Sequence, residues 1–193
     1  MSKPVKILGI DPGTTVLGYS VIELKDKNIQ LLSLGVVQLN KCAGHYNKLK
    51  RIFEKTTFLL EHYLPDEVAV EAPFYGKNVQ SMLKLGRAQG VVITAAMLKN
   101  LPVTEYSPRK IKQSITGNGS SSKQQVSAML QKMLHLDTVP RYFDATDALA
   151  VAFCHQLQMG SPLAKASKAT GGGSAPKDWK SFLQENPDRL KKP

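Results

Sequence analysis

Four carboxylate side chains stand at the ends of apolar runs and at the start of a helix-forming segment, in a chain that is otherwise basic. Asp11 ends the first apolar run of the sequence, and Glu71 ends a second, shorter one. Asp144 and Asp147 lie three residues apart at the start of an alanine-rich, helix-forming segment, so both fall on one helix face. An acidic cluster inside a basic protein is what metal-dependent cleavage of a polyanion requires.

The chemistry of these four groups favours hard divalent cations. Carboxylates at the ends of neighbouring strands can point into one crevice at the edge of an α/β sheet, where they repel one another unless cations neutralise them. Oxygen ligands select Mg²⁺ or Mn²⁺, and two ions roughly 4 Å apart would activate water and stabilise the leaving oxygen. Alternatively, each Asp is a turn or cap residue, which is a serious rival for Asp144 near a helix start.

The balance of charge favours a polyanionic partner. Lysine and arginine number 26 against 15 acidic residues, which gives a formal net charge of +11. A basic chain binds nucleic acid by neutralising phosphates and releasing counterions, although a basic surface also occurs on proteins without such a partner. With 193 residues, the chain has room for one well-packed domain and little more.

The cysteines and the apolar segments bear on the compartment. Cys42 and Cys154 lie far apart without metal-ligand spacing, and we interpret them as reduced, partly buried side chains. No long apolar stretch precedes the first strand, and no segment approaches the roughly 20 apolar residues of a membrane span. We therefore expect a cytoplasmic protein without a signal peptide or membrane association.

The hydrophobic pattern predicts an α/β fold. Five strands are predicted at residues 5–11, 16–24, 28–39, 67–72 and 102–106. Four helices are predicted at residues 45–64, 78–100, 123–134 and 142–159. This order indicates a mixed sheet with helices on its faces.

Smaller features complete this prediction. Gly86 and Gly90 indicate close packing of the second helix against another element, and Ser122 is a candidate helix cap. Residues 109–112 are interpreted as a basic connector and residues 117–122 as a flexible loop. We expect a nuclease domain at residues 1–160 and a flexible basic tail at 161–193, whose apolar content is too low to fold alone.

Four segments resemble a known family. The segment Ile7-Leu-Gly-Ile-Asp-Pro-Gly-Thr-Thr-Val-Leu-Gly-Tyr19 resembles the opening motif of the RuvC family of Holliday junction endonucleases. Residues 70–78, 83–90 and 144–150 resemble later motifs of that family. The four motifs occur in order and extend from about Val5 to His155, so the resemblance covers most of the chain.

The resemblance implies a ribonuclease H-like fold with a five-stranded mixed sheet, acting as a homodimer on four-way DNA junctions. It implies symmetric nicking that depends on Mg²⁺, with Mn²⁺ as a substitute and two ions in each site, and that leaves 5′-phosphate ends. A branch-migration motor is the implied partner. The positions that match the family's metal-binding and catalytic carboxylates are Asp11, Glu71, Asp144 and Asp147, although some members carry a histidine where Asp144 stands.

Further residues are candidates for DNA contact. Lys112 and Lys123 match family lysines near the scissile phosphate, where one of them would stabilise the transferring phosphate. Phe74 matches the family's aromatic side chain at the junction centre, and an ordinary core phenylalanine is the alternative. Lys77, Lys84 and Arg87 lie within about 80° of helix arc, which suits a phosphate backbone as well as a solvated face. The remaining candidates are Tyr75, Arg109 and Lys110.

The sequence alone is compatible with two other functions. The segment Gly9-Ile-Asp-Pro-Gly-Thr-Thr15 also resembles the phosphate loop of actin, Hsp70 and sugar kinase ATPases. Those proteins need two lobes to enclose a nucleotide, which 193 residues cannot supply, and they do not account for Glu71 and Asp147. A non-catalytic junction-binding protein would use the basic surface alone.

Overall fold

A five-stranded mixed sheet forms the centre of the computed structural model, which describes residues 3–26, 28–73, 78–134 and 142–159. The strands are β1 (Val5–Asp11), β2 (Val16–Lys25), β3 (Asn28–Gln38), β4 (Glu67–Glu71) and β5 (Val103–Tyr106). Their order across the sheet is β3-β2-β1-β4-β5. The predicted α/β class and the five strands are confirmed.

Strand β1 lies in the middle of the sheet because it is apolar on both faces. It pairs antiparallel with β2 and parallel with β4, and Ile7, Leu8 and Ile10 are fully buried. Short turns connect β1, β2 and β3 as an antiparallel meander, whereas β4 and β5 follow helical crossovers and run parallel to β1.

Five helices accompany the sheet. They are α1 (Gly44–Tyr63), α2 (Val79–Met97), α3 (Pro108–Thr116), α4 (Lys123–Met133) and α5 (Phe143–Met159). The main core joins α1 and α2 to one face of the sheet, where Leu8 and Ile10 of β1 meet Ile52 and Val92. Because successive side chains of a strand point to opposite faces, Gly9 belongs to the other face, which α5 covers.

The prediction of a basic connector at residues 109–112 is wrong, because these residues belong to helix α3. Its start has a cap, since the side chain of Ser107 accepts a hydrogen bond from the backbone of Lys110, and Pro108 occupies the first turn. Ile111 and Ile115, four residues apart, are buried. Gly117 ends the helix in the left-handed conformation at φ 76°.

Other predictions have mixed outcomes. Gly86 and Gly90 do not pack closely within the chain, because a Cβ on either would meet no described residue within 4 Å. Ser122 does cap α4, where it forms a capping box with Gln125. Cys154 is buried and free, and Cys42 is free and half-buried.

One compact unit spans Met1–Leu157. The predicted tail at 161–193 lies outside the described residues, and the domain boundary at 160 stays a prediction. Within the described ranges, no helix has both the length and the apolar character needed to cross a membrane.

Candidate functional site

The parallel pairing of β1 with β4 brings two of the predicted carboxylates to one edge of the sheet. Asp11 is the last residue of β1 and Glu71 the last residue of β4. Both are half-buried. The pairing registers place them on the face that carries Gly9 and Ala69, which is the α5 side of the sheet.

Two glycines and a serine in the β1–β2 hairpin fix helix α5 against this face. A Cβ on Gly9 would lie 2.4 Å from the carbonyl oxygen of Ala148, and one on Gly18 would lie 1.9 Å from that of Asp144. The Oγ of Ser20 donates a 2.9 Å hydrogen bond to the Ala148 carbonyl. Since Gly18 is the cross-strand partner of Asp11, the start of α5 lies directly beside the end of β1.

The four predicted carboxylates therefore share one site, and their electrostatics show it. Burial, followed by the charges of Asp147 and Asp144, raises the pKa of Asp11 to about 7, although Lys123 opposes the shift. Burial and then the charges of Asp11 and Asp147 raise the pKa of Glu71 to about 8. Both carboxylates hold their protons more tightly than ordinary ones because the negative charges crowd one another away from solvent.

Two lysines face this acidic cluster. Lys123, at the start of α4, donates a hydrogen bond to Asp147 across 24 residues of sequence. Burial lowers the pKa of Lys123, but its bond to Asp147 and the other carboxylates outweigh burial and raise it. Burial raises the pKa values of both Glu71 and Asp147, and the charge of Lys112 on α3 opposes each shift. The predicted catalytic lysines thus lie on the α3 and α4 side of the carboxylates.

Cavities open on both sides of the carboxylates. The cavity on the α5 side has a volume of about 150 Å³, and its lining includes Glu71, Asp147, Lys112 and Lys123. The cavity on the α2 side has a volume of about 170 Å³; it is lined by Asp11, Pro12, Glu71, Ala72, Pro73, Leu85 and Gln89. Glu71 borders both cavities.

The donor set fits a hard divalent cation in chemical type. Asp11, Glu71, Asp144 and Asp147 offer only oxygen ligands, and burial raises the pKa of Asp11, Glu71 and Asp147, with neighbouring carboxylates adding to each shift. In the ranges the structure describes, no three His, Cys, Asp or Glu side chains are already arranged around one point at coordinating distance. Asp147 instead accepts the hydrogen bond from Lys123.

The predicted DNA-contact residues are dispersed. Lys84 and Arg87 are exposed on α2, and Arg87 faces α1 across a groove that includes Phe53 and Gly90. Arg109 packs its side-chain stem against Gly119, where a Cβ would lie 2.6 Å from the Arg109 Cγ. Lys110 is exposed, and its charge acts on Cys154. Phe74, Tyr75 and Lys77 lie outside the described residues.

Sequence reasoning missed two groups of residues near the site. Gln89 and Leu85 on α2 line the cavity beside Asp11, and no local pattern distinguishes them from core residues. His45 and Lys48 lie in the first turns of α1, and Lys48 Nζ donates a 3.0 Å hydrogen bond to the Thr14 carbonyl. Burial, then Arg87, Lys84 and Lys48, lower the pKa of His45. The available sequence signal for His45 and Lys48 was that both fall in the first turns of the helix predicted from residue 45.

Comparisons with known proteins agree with this fold and site. A family model described as "Crossover junction endodeoxyribonuclease RuvC" matches residues 7–155. The protein of that name from Bacteroides fragilis is 52% identical over 196 residues, covering 99% of this chain and all of its own length. That of Cytophaga hutchinsonii is 52% identical over 185 residues, covering 96% and 88%.

Solved structures show the same architecture. Thermus thermophilus RuvC in complex with a Holliday junction substrate superposes with a TM-score of 0.75 at 33% identity, over 80% of this chain and 94% of its own. The yeast mitochondrial Holliday junction resolvase has a TM-score of 0.59 at 15% identity, over 84% of each chain, which concerns the fold alone.

The sheet order and the carboxylate-bearing edge define a protein of the ribonuclease H-like class. The chain belongs to the RuvC family of crossover junction endodeoxyribonucleases, as the match over residues 7–155 and the near full-length relatives show. It is therefore a nuclease. The ATPase and non-catalytic interpretations are not favoured.

Proposed function

We propose that this chain resolves Holliday junctions by nicking two strands of like polarity and leaving 5′-phosphate ends, in DNA recombination and repair. The observation that carries the proposal is the convergence of Asp11, Glu71 and the α5 carboxylates beside Lys123 in a member of the RuvC family. The relative that binds a Holliday junction in its solved structure supports four-way DNA as the substrate.

Asp11, Glu71, Asp144 and Asp147 would hold the cation. Mg²⁺, or Mn²⁺ in its place and as two ions in each site, would supply an activated water and stabilisation of the leaving 3′ oxygen. Glu71 borders both cavities, Asp11 one of them and Asp147 the other, so these carboxylates would hold the cation where a scissile phosphate can reach it. Ionisation of Asp11 and Glu71 is required before they serve as ligands.

Lys123 and Lys112 would act on the phosphate. Lys123 holds Asp147 by a charge-assisted hydrogen bond, and its remaining two protons are free to face an incoming phosphate oxygen. Lys112 lines the same cavity from α3. Stabilisation of negative charge at the transferring phosphate is the role that this placement favours for the pair.

The DNA contacts away from the carboxylates form the next part of the proposal. Phe74 and Tyr75 would stack on bases at the junction centre, with Lys77 beside them. Lys84 and Arg87 would contact backbone phosphates, as would Arg109 and Lys110. The exposure of Lys84, Arg87 and Lys110 supports phosphate contacts there, whereas the packing of Arg109 against Gly119 supports a partly structural role.

We further propose that two copies assemble through the outer face of α1 and α2. Large apolar side chains are exposed there, with Tyr46 at 81%, Leu83 at 53% and Phe53 at 39%. A groove of about 570 Å³ between the helices is lined in part by Gly90, whose missing side chain leaves room for a side chain of a facing copy. A two-fold dimer would present two carboxylate sites to one symmetric junction. A branch-migration motor as partner and action in the cytoplasm complete the proposal.

The decisive experiment is cleavage of a synthetic four-way junction beside linear duplexes of the same sequences, with Mg²⁺ or with EDTA. Paired nicks in the junction alone, and only with the metal, are expected. Asp11→Asn is expected to abolish cleavage while junction binding persists, since a negative charge leaves a DNA-facing site. Normal cutting by this variant, or equal cutting of duplex, would overturn the proposal.

A further inference from the structure

The cavity on the α2 side of the carboxylates differs in character from the one that the lysines border. Its volume is about 170 Å³, several times the roughly 30 Å³ that one water occupies in the liquid. Apart from Asp11 and Glu71, its walls are Pro12, Ala72, Pro73 and Leu85, with Gln89 as the remaining polar group. No lysine, arginine or histidine borders it among the described residues.

That lining excludes some ligands and favours others. Two of the lining residues are acidic and no cationic side chain among the described residues borders the cavity, so the backbone of DNA is disfavoured there. A hard cation would bind the carboxylates, but the side chains of Leu85 and the two prolines offer it no oxygen ligand. Apolar walls with a small number of polar groups are typical of a pocket for a planar organic group.

Gln89 is fixed in one orientation by a second side chain. It is 8% exposed on α2, and its Nε2 donates a hydrogen bond to Glu105 on β5. An ionised carboxylate only accepts hydrogen bonds, so the amide nitrogen of Gln89 must face Glu105. The amide oxygen is therefore directed away from Glu105 and is available as an acceptor for another group.

The sheet explains why this pair lies where it does. Glu105 is the partner of Val70 on β4, and Val70 points into the core beneath α2, one residue before Glu71. Gln89 and Glu105 thus share the α2 face, while Asp11 and Glu71 point to the α5 face. The pair flanks the carboxylate site without being one of its candidate cation ligands.

We propose that this cavity receives a nucleobase of the cleaved strand, next to the scissile phosphate, and that Gln89 determines which base is accepted. This inference rests on the proposed junction cleavage. The base would lie against Pro73 and Leu85, and an N–H on its edge would donate to the Gln89 amide oxygen. Glu105 is a positioning residue, because it acts only through Gln89.

The test is single-turnover cleavage of junctions in which each of the four nucleotides occupies each position flanking the scissile bond. Wild type is compared with Gln89→Leu and with Glu105→Gln. Wild type is expected to prefer one nucleotide at one flanking position. Loss of one hydrogen bond should lower that preference in Gln89→Leu by roughly tenfold. Glu105→Gln should lower it less, since the cavity keeps its volume while the amide gains a second orientation.

Gln80→Leu is the matched control, because Gln80 is exposed on the same helix nine residues earlier, about 180° around its axis. It should keep the wild-type preference. Competition binding of the same junctions, with Ca²⁺ replacing Mg²⁺ to prevent cleavage, gives a second readout for any variant that cuts too slowly.

The outcomes separate the two proposals. Absence of junction cleavage by wild type defeats the proposed function itself. Cleavage without any flanking preference in wild type, or a preference that Gln89→Leu retains in cleavage or in binding, overturns the base pocket and leaves the nuclease assignment intact. A preference lost in Gln89→Leu and kept in Gln80→Leu supports it.

Discussion

His155 on α5 and Glu67 at the start of β4 are joined by a 2.7 Å hydrogen bond between the imidazole Nε2 and the carboxylate Oε2. On the other side of the ring, Nδ1 lies 2.8 Å from the hydroxyl of Tyr106 on β5. With Nε2 donating to the carboxylate, Nδ1 of a neutral ring accepts from the tyrosine hydroxyl. Burial raises the pKa of Tyr106 to about 12, which keeps the hydroxyl a donor. This series of hydrogen bonds connects α5 to β4 and β5.

Removal of His155 should destabilise the fold measurably. His155→Ala leaves a tyrosine hydroxyl and a carboxylate without their partner in a buried region, which should cost about 2–4 kcal/mol of unfolding free energy. Denaturant titration followed by circular dichroism measures it. His62→Ala, at an exposed position of α1, is the control and should cost less than about 1 kcal/mol. Equal costs for the two variants would show that the chain of hydrogen bonds contributes nothing.

The stability of the metal-free protein should fall as pH rises. Asp11 and Glu71 have folded-state pKa values of about 7 and 8, above their ordinary values of 3.8 and 4.5. Between about pH 4 and pH 8 the folded protein therefore binds more protons than the unfolded chain, and unfolding free energy declines with pH.

This dependence is measured as melting temperature in EDTA between pH 5.5 and pH 8. Asp11→Asn removes one of the crowded charges and should be more stable than wild type at pH 8 by roughly 1–3 kcal/mol, since each pKa unit corresponds to about 1.4 kcal/mol. Added Mg²⁺ should raise the wild-type melting temperature more at pH 8 than at pH 6, because it binds ionised carboxylates. Parallel profiles of melting temperature against pH for wild type and Asp11→Asn would contradict the repulsion among the carboxylates.

Lys123 should matter for cleavage far more than for folding. Lys123→Ala removes the ammonium that faces Asp147 and the transferring phosphate, and cleavage should slow by about 10²–10³-fold. Its effect on stability should be small, because the lysine side chain is 56% exposed. Lys132→Ala, at an exposed position on the opposite side of α4, is the control and should cut at the wild-type rate. Similar rates for both variants would remove Lys123 from the catalytic step.

Gly18 should be intolerant of any side chain. A methyl group there would lie 1.9 Å from the Asp144 carbonyl oxygen, so the start of α5 must move away from β2. A displacement of about 1 Å at the carboxylates costs on the order of 10²-fold in rate, which single-turnover cleavage by Gly18→Ala would show. Gly86→Ala, whose methyl group would meet nothing within 4 Å in a single copy, should instead raise the stability of the monomer by about 0.5–1 kcal/mol. Full activity in Gly18→Ala would show that close contact at Gly18 is not needed to position the α5 carboxylates.

Assembly through α1 and α2 should be sensitive to charge. Phe53→Glu places a carboxylate in the apolar groove and should convert a dimer into a monomer, measured by sedimentation equilibrium over a range of concentrations. Phe58→Glu is the matched control, since Phe58 is 52% exposed elsewhere on the same helix. If both variants keep the wild-type mass, the two copies meet through another surface.

The sequence by itself determined the position of the four carboxylates along the chain and the elements that carry them. Strand ends and helix starts follow from local patterns, and the motif at Ile7–Tyr19 indicated the family. Helix α3 was not predicted because Arg109, Lys110 and Lys112 make up much of a short segment. Ser107 and Pro108 were nevertheless signals for a helix start. Its two buried isoleucines are too few for a clear helical period.

Only the tertiary structure decided which side chains meet. Gln89 is one polar residue on a mostly apolar helix, and its bond to Glu105 exists because α2 packs over β4 and β5. The same holds for Lys123 and Asp147, and for Gly18 beneath Asp144. These contacts join residues from 16 to 126 positions apart, and chain folding rather than local pattern sets such distances.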